Sequence, residues 1–130
     1  MFALDTNTLV YFFKGTGNVK DRLLATPPRD VAIPAVVVYE LEAGIWQSAT
    51  PEKRRRQLDE FLAFTTILPL DRKSSSAAAE VGAALKKRGA AIGPMDTLIA
   101  GTAMAHGATL VTRNTGEFKR VAGLKLIDWY

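Results

Sequence analysis

Apolar residues along this chain fall into two patterns: short, mainly apolar runs, and longer stretches with helical spacing. The short runs are Met1–Leu4, Val31–Ile33, Ile67–Leu70, Ala108–Thr112 and Leu124–Ile127. Runs of this length without polar alternation predict strands covered on both faces, as in the middle of a parallel sheet. Pro69 places the third run at an exposed end or an edge of that sheet.

The longer stretches predict helices, and their punctuation is mostly Gly and Pro. Thr6–Lys14 carries Leu9, Val10, Phe12 and Phe13 and stops at Gly15-Thr16-Gly17. Asn18 is placed to cap a short helix through Leu24, which Pro27-Pro28 closes. Pro34 opens a helix over Ala35–Gln47, and Thr50 with Pro51 opens another to about Phe64. In the latter, Leu58, Phe61, Leu62 and Thr65 form the inward stripe, while Arg54, Arg55 and Arg56 face out. Asp71 begins an alanine-rich helix through Arg88, closed by Gly89, and Gly93-Pro94 begins one that Gly107 ends. Asn114–Arg120 reads as a loop with one helical turn. Strands alternating with helices imply βαβ units. The expected architecture is a single domain over residues 1–130, an α/β/α sandwich around a mainly parallel five-stranded sheet.

Composition narrows the chemistry. The 130 residues, 48% hydrophobic and 23% charged, suit an ordinary globular domain. Absence of cysteine excludes disulfides, thiolate metal sites and Cys nucleophiles, and the single histidine, His106, excludes a His-rich zinc site. His106 ends a helix before Gly107 and is read as structural; Trp46 and Trp129 are read as core or interface residues. No apolar run reaches the ~20 residues of a membrane span, and the N-terminus lacks a signal-peptide layout. A cytoplasmic protein with no membrane partner is expected. The net charge of +4 permits a polyanionic partner. Basic residues gather at Lys53–Arg56 and Lys86–Arg88, and more thinly at Arg113, Lys119, Arg120 and Lys125. Each group alone reads as a solvated helix face; together they make nucleic acid a candidate partner.

Three acids do not fit a solvated surface. Asp5 follows the first buried run, where a helix N-cap is the ordinary alternative. Glu40 falls on the helical wheel between Val36 and Gly44, whereas Glu42 falls toward Val38 and Trp46. Asp96 has Ile99, Ala100 and Ala103 at its i+3, i+4 and i+7 positions. Burying an acid on an apolar stripe is costly unless it is paired or binds a cation. Glu40 in a buried ion pair, or Asp96 favouring a helix macrodipole, would explain either one alone. Three acids without evident basic partners point to a shared hard cation, Mg²⁺ or Mn²⁺. Asn114 and Glu117, in the turn after the fourth strand, would open at the same end of a parallel sheet and complete the ligand set directly or through water. Turn chemistry is the alternative for that segment.

These residues resemble a known family. Asp5 in L-D-T-N, Glu40 in E-L-x-x-G, Asp96 in G-P-x-D-x-x-I-A, and Asn114 and Glu117 in T-x-N-T-x-E-F together are similar to the PIN-domain ribonucleases, and among them to the VapC toxins of toxin–antitoxin pairs. The resemblance runs the length of the chain. It implies that Asp5, Glu40 and Asp96 are the core metal ligands. Many PIN domains have an aspartate where this chain has Asn114, so the fourth ligand is Asn114, Glu117 or a water held by them. The resemblance further implies an Mg²⁺- or Mn²⁺-dependent endoribonuclease acting on structured RNA. Enteric VapC toxins, which the chain looks most like, cut initiator tRNA in the anticodon stem-loop. It implies a homodimer and a VapB-type antitoxin that blocks the acidic pocket.

The expected mechanism is in-line attack of an activated water on a phosphodiester, with Glu117 as the base that steers it. Thr6, Asn7 and Thr112 are expected to hold the ligands by hydrogen bonds. Arg54, Arg55 and Arg113 are expected to hold RNA phosphates. Two rivals remain at this point. One is a haloacid-dehalogenase-type phosphohydrolase, since Asp5-Thr6-Asn7-Thr8 approximates D-x-D-x-T. The other is an α/β module that binds RNA or protein without cutting.

Overall fold

The computed structural model describes residues 1–130. Five strands form one sheet: β1 (Phe2–Leu4), β2 (Val31–Pro34), β3 (Thr66–Leu68), β4 (Thr109–Val111) and β5 (Leu126–Ile127). Their order is β3-β2-β1-β4-β5, and every neighbouring pair is parallel. Parallel neighbours need crossovers, which the helices provide. These are α1 (Thr6–Lys14), α2 (Val19–Leu24), α3 (Ala35–Trp46), α4 (Pro51–Leu62), α5 (Arg72–Lys87), α6 (Pro94–Ala105) and α7 (Thr115–Phe118). No helix is long and apolar enough to cross a membrane.

The apolar runs sit where their pattern requires. Ala3, Leu4, Ala32, Ile33, Leu110 and Val111 on the three central strands are fully buried. Burying each large side chain contributes about 1.5–3 kcal/mol, and this strip forms the centre of a 22-residue core. Trp129 joins the core and packs its ring 5.2 Å from that of Phe2. Trp46 is 82% exposed and belongs to no core. β3 is indeed an edge strand, and half-exposed Ile67 shows it.

Several boundaries differ from the sequence reading. β3 stops at Leu68, because Pro69 has no N–H with which to continue the ladder. β5 shrinks to Leu126–Ile127, although the Lys125 carbonyl still accepts from the Leu110 N–H at 2.8 Å; the turn before it passes through Gly123 at φ +82°. Neither Asn18 nor Thr50 caps its helix with a side chain. Just before the second helix, Ser48 Oγ accepts from the Thr50 N–H at 3.0 Å and from Arg54 Nε at 2.9 Å, which fixes the approach to the helix without capping it.

The topology fixes where chemistry can occur. From β1 the chain builds outward to β2 and β3, then returns to place β4 on the other side of β1. The crevice at such a reversal, beyond the carboxyl ends of the strands, is the usual binding place in an open α/β sheet. Asp5 and Thr112 are the residues that immediately follow β1 and β4.

Candidate active site

Asp5 is 6% exposed, and both its oxygens are held. The β1–β4 register pairs Leu4 with Val111, so the next residues, Asp5 and Thr112, emerge side by side. Thr112 Oγ1 donates to Asp5 Oδ2 at 2.6 Å, and the Thr8 N–H donates to Oδ1 at 2.9 Å. Asp5 therefore caps α1 and also presents its carboxylate at the reversal point; the cap and the site are the same residue. Thr8, which sequence reasoning passed over, is part of this lock. It is buried and donates its hydroxyl to the Val111 carbonyl at 3.1 Å. The available signal was its position three residues after a capping Asp.

Glu40 projects from the middle of α3, and Thr6 Oγ1 donates to its Oε1 at 2.6 Å. Thr6 thus joins the first residue of α1 to the acid on α3. Asn7 is exposed at the second position of α1. Asp96 stands in the first turn of α6, half-buried. Its carboxyl is pushed up to about 6, first by burial and then by the negative charges of Asp5, Glu40 and Glu117. These four acids, far apart in sequence, therefore converge on one field. Glu117 lies in α7, and Asn114 Nδ2 donates to its Oε2 at 2.6 Å. The Asn114 N–H donates to Thr112 Oγ1 at 3.0 Å, which ties that turn back to the hydroxyl that holds Asp5.

No base of the chain neutralises this cluster. The one ion pair joins Arg55 to Glu42 at 2.6 Å, and both are partly exposed. An assembly of carboxylates and an amide, with no histidine, thiolate or paired cation, is a hard-oxygen donor set, suited to Mg²⁺ or Mn²⁺. As the side chains stand, no three His, Asp or Glu groups are arranged to hold an ion. Thr112, Thr6 and Asn114 hold Asp5, Glu40 and Glu117, and like charges at close quarters repel.

The predicted RNA contacts divide. Arg54 lines a cavity that also contains Thr6 and Glu40. Arg55 is engaged by Glu42, with its guanidinium 5.8 Å from the Trp46 ring. Arg113 stacks 3.6 Å over the Tyr130 ring and lies 5.8 Å from that of Tyr11. Two of the basic groups meet: Arg88 Nη2 donates to the Arg120 carbonyl at 2.8 Å, and Arg120 Nη1 to the Ala91 carbonyl at 3.3 Å. His106 binds the Thr102 carbonyl through Nδ1 at 3.0 Å, a structural use.

Comparison with known proteins decides the family. Residues 2–124 match the PIN domain. The chain belongs to the PIN-domain family, in its VapC ribonuclease branch. It is 33% identical over 129 residues to the tRNA(fMet)-specific endonuclease VapC of Shigella flexneri, covering 98% of this chain and 97% of that one. It is 36% identical over 131 residues to ribonuclease VapC2 of Rickettsia felis, covering 99% and 98%. The crystal structure of VapBC2 from Rickettsia felis, bound to a DNA fragment from its promoter, superposes with a TM-score of 0.92 at 34% identity, covering 99% of this chain and 98% of that one. A hydrolytic endoribonuclease of the VapC type accords with the acidic crevice, and the dehalogenase-type and non-enzymatic readings fall away.

Proposed function

We propose that this chain is the toxin of a type II toxin–antitoxin pair and hydrolyses a phosphodiester bond in structured RNA at the crevice formed by Asp5, Glu40, Asp96 and Glu117. The observation that carries the reading is Asp96, whose carboxyl is raised to about 6 by burial beside three other acids that no Lys or Arg pairs with. A cluster held so far from neutrality is suited to a divalent ion, and Asp5, Glu40, Asp96 and Asn114 are the residues that would hold it. When bound, Mg²⁺ or Mn²⁺ would supply water activation and neutralisation of phosphate charge.

The remaining roles belong to the chain's own groups. Thr112 and the Thr8 N–H fix the Asp5 carboxylate, and Thr6 fixes Glu40, so ligand orientation is set before substrate arrives. Glu117, oriented by Asn114, is the acid placed to take a proton from attacking water. Arg54 and Arg113 hold backbone phosphates outside the acidic centre, and Arg55 does so on leaving Glu42.

Structured RNA, and specifically initiator tRNA, is the favoured substrate, supported by the name of the Shigella flexneri relative; the anticodon stem-loop is the cut site that the family resemblance implies. A VapB-type antitoxin is the proposed partner, supported by the VapBC structures to which the chain is similar, and the toxin is proposed to form a homodimer. Incubating the purified protein with total RNA and mapping the cut ends tests the substrate. Cuts concentrated in the anticodon stem-loop of one tRNA are expected; cuts spread without preference over messenger and ribosomal RNA would overturn this assignment.

A further inference from the structure

A cavity of about 160 Å³ opens between α1, α3 and α4, with Thr6 and Glu40 at its acidic end. Phe13, Ile45 and Leu58 give it apolar walls, and Gln57 and Arg54 add polar groups from α4. Gly44 also lines it, one helical turn beyond Glu40. Glycine inside a helix weakens it more than any residue except proline, so a mid-helix glycine invites a reason. Gly101 in α6 has one: an added Cβ would lie 2.4 Å from the N and Cα of Ala78. Gly44 has no such neighbour, since an added Cβ there would meet nothing within 4 Å. Its φ is not positive either. Neither packing nor backbone conformation requires glycine at 44; the missing side chain leaves room in the cavity.

We propose that this cavity is a nucleobase subsite, which holds the base of a nucleotide flanking the bond that is cut. The proposal rests on the ribonuclease reading of the adjacent acids. The volume suits one planar ring, because an apolar cavity of roughly 150 Å³ takes up benzene. Apolar walls with a few placed polar groups are the ordinary make-up of a small-ligand site. Unstacked RNA bases pack on aromatic rings such as Phe13 and are read along their edges, and the Gln57 amide offers both a donor and an acceptor for that purpose. Arg54 is anchored through Nε by Ser48 Oγ, which leaves its Nη groups for the phosphate of the same nucleotide. Charge complementarity favours a nucleotide, since the Arg54 guanidinium stands at the cavity to meet its phosphate, and the adjoining acids would take the next phosphate only through a bound divalent ion.

The test compares wild type, Gly44→Leu and Gln57→Ala on a randomised RNA pool with Mg²⁺, reading the nucleotide at each position beside the cut, and then kcat and KM on one preferred oligonucleotide. Wild type is expected to prefer particular bases at one flanking position. Both variants are expected to flatten that preference and raise KM roughly tenfold, with a much smaller change in kcat. If Gly44→Leu does not fold, Gln57→Ala decides alone. Unchanged preference and KM in the variants would overturn the proposal. Loss confined to binding of the cognate VapB-type antitoxin would also overturn it, because the cavity would then receive a protein side chain. A wild type that cuts no RNA at all would remove the ribonuclease reading, and the subsite with it.

Discussion

Two helix-interior glycines divide this molecule into regions built on different terms. At Gly101, α6 presses against Ala78 of α5 so closely that a single methyl group has no room. That pair of helices makes the most extensive helix–helix contact in the fold. At Gly44, on the side where α1, α3 and α4 surround Glu40, a methyl group would enter open space. The first region is packed to hold the fold. The second gives up packing, and its Glu40 shares one field with Asp5, Asp96 and Glu117, the acids proposed to act on RNA. Substitutions in the seam should lower stability with chemistry intact; substitutions on the open side should do the reverse.

The largest effect expected is Asp96→Asn, which should lower RNA cleavage by about 10³-fold or more, near 4 kcal/mol in the barrier. Circular dichroism and thermal melting should show the fold retained. Equal loss of structure and activity would break the division. Gly101→Ala should act oppositely, costing about 1–3 kcal/mol in urea unfolding as the seam is forced apart. Its activity per folded molecule should stay near that of wild type.

The pH dependence of stability sharpens the comparison. Asp96 titrates near 6 when folded, against an ordinary value of 3.8. Between about pH 4 and 6 the folded protein keeps a proton that the unfolded chain has lost, so stability falls as pH rises through this window. Discounted for the partial exposure of Asp96, the fall is about 1 kcal/mol. Urea midpoints measured in chelator across that range should show it, and Asp96→Asn should remove it. The smallest effect is Gly44→Ala, which should stabilise the protein by roughly 0.8 kcal/mol, because it raises helix propensity without a clash. A lower melting temperature in that variant would show that the open space at Gly44 is misjudged.

Much of this arrangement was legible in the sequence, for reasons that particular residues make plain. The run Met1–Leu4 is apolar throughout, which identified a central strand and placed Asp5 at its carboxyl end. Glu40 and Asp96 stood out because helical spacing set them on apolar stripes. What was hidden depended on contacts between distant segments. The sequence marks Thr112 as a supporting group, but nothing local shows that β4 lies directly beside β1, and only that register makes Asp5 the acid it holds. The pairing of Arg55 with Glu42 joins two helices across a turn and was equally invisible. The difference between Gly44 and Gly101 is a matter of what lies within 4 Å of a missing atom. Caps failed at Asn18 and Thr50 because propensity names residues suited to a position, while the backbone decides which oxygen reaches the N–H.

The four acids are proposed to hydrolyse RNA with a divalent ion. The most direct measurement is cleavage of RNA by the purified wild-type protein with Mg²⁺ and with chelator, followed by chemical identification of the new ends. Cleavage is expected only with the divalent ion, leaving 5′-phosphate and 3′-hydroxyl ends. Equal cleavage in chelator, or ends carrying a 2′,3′-cyclic phosphate, would contradict it.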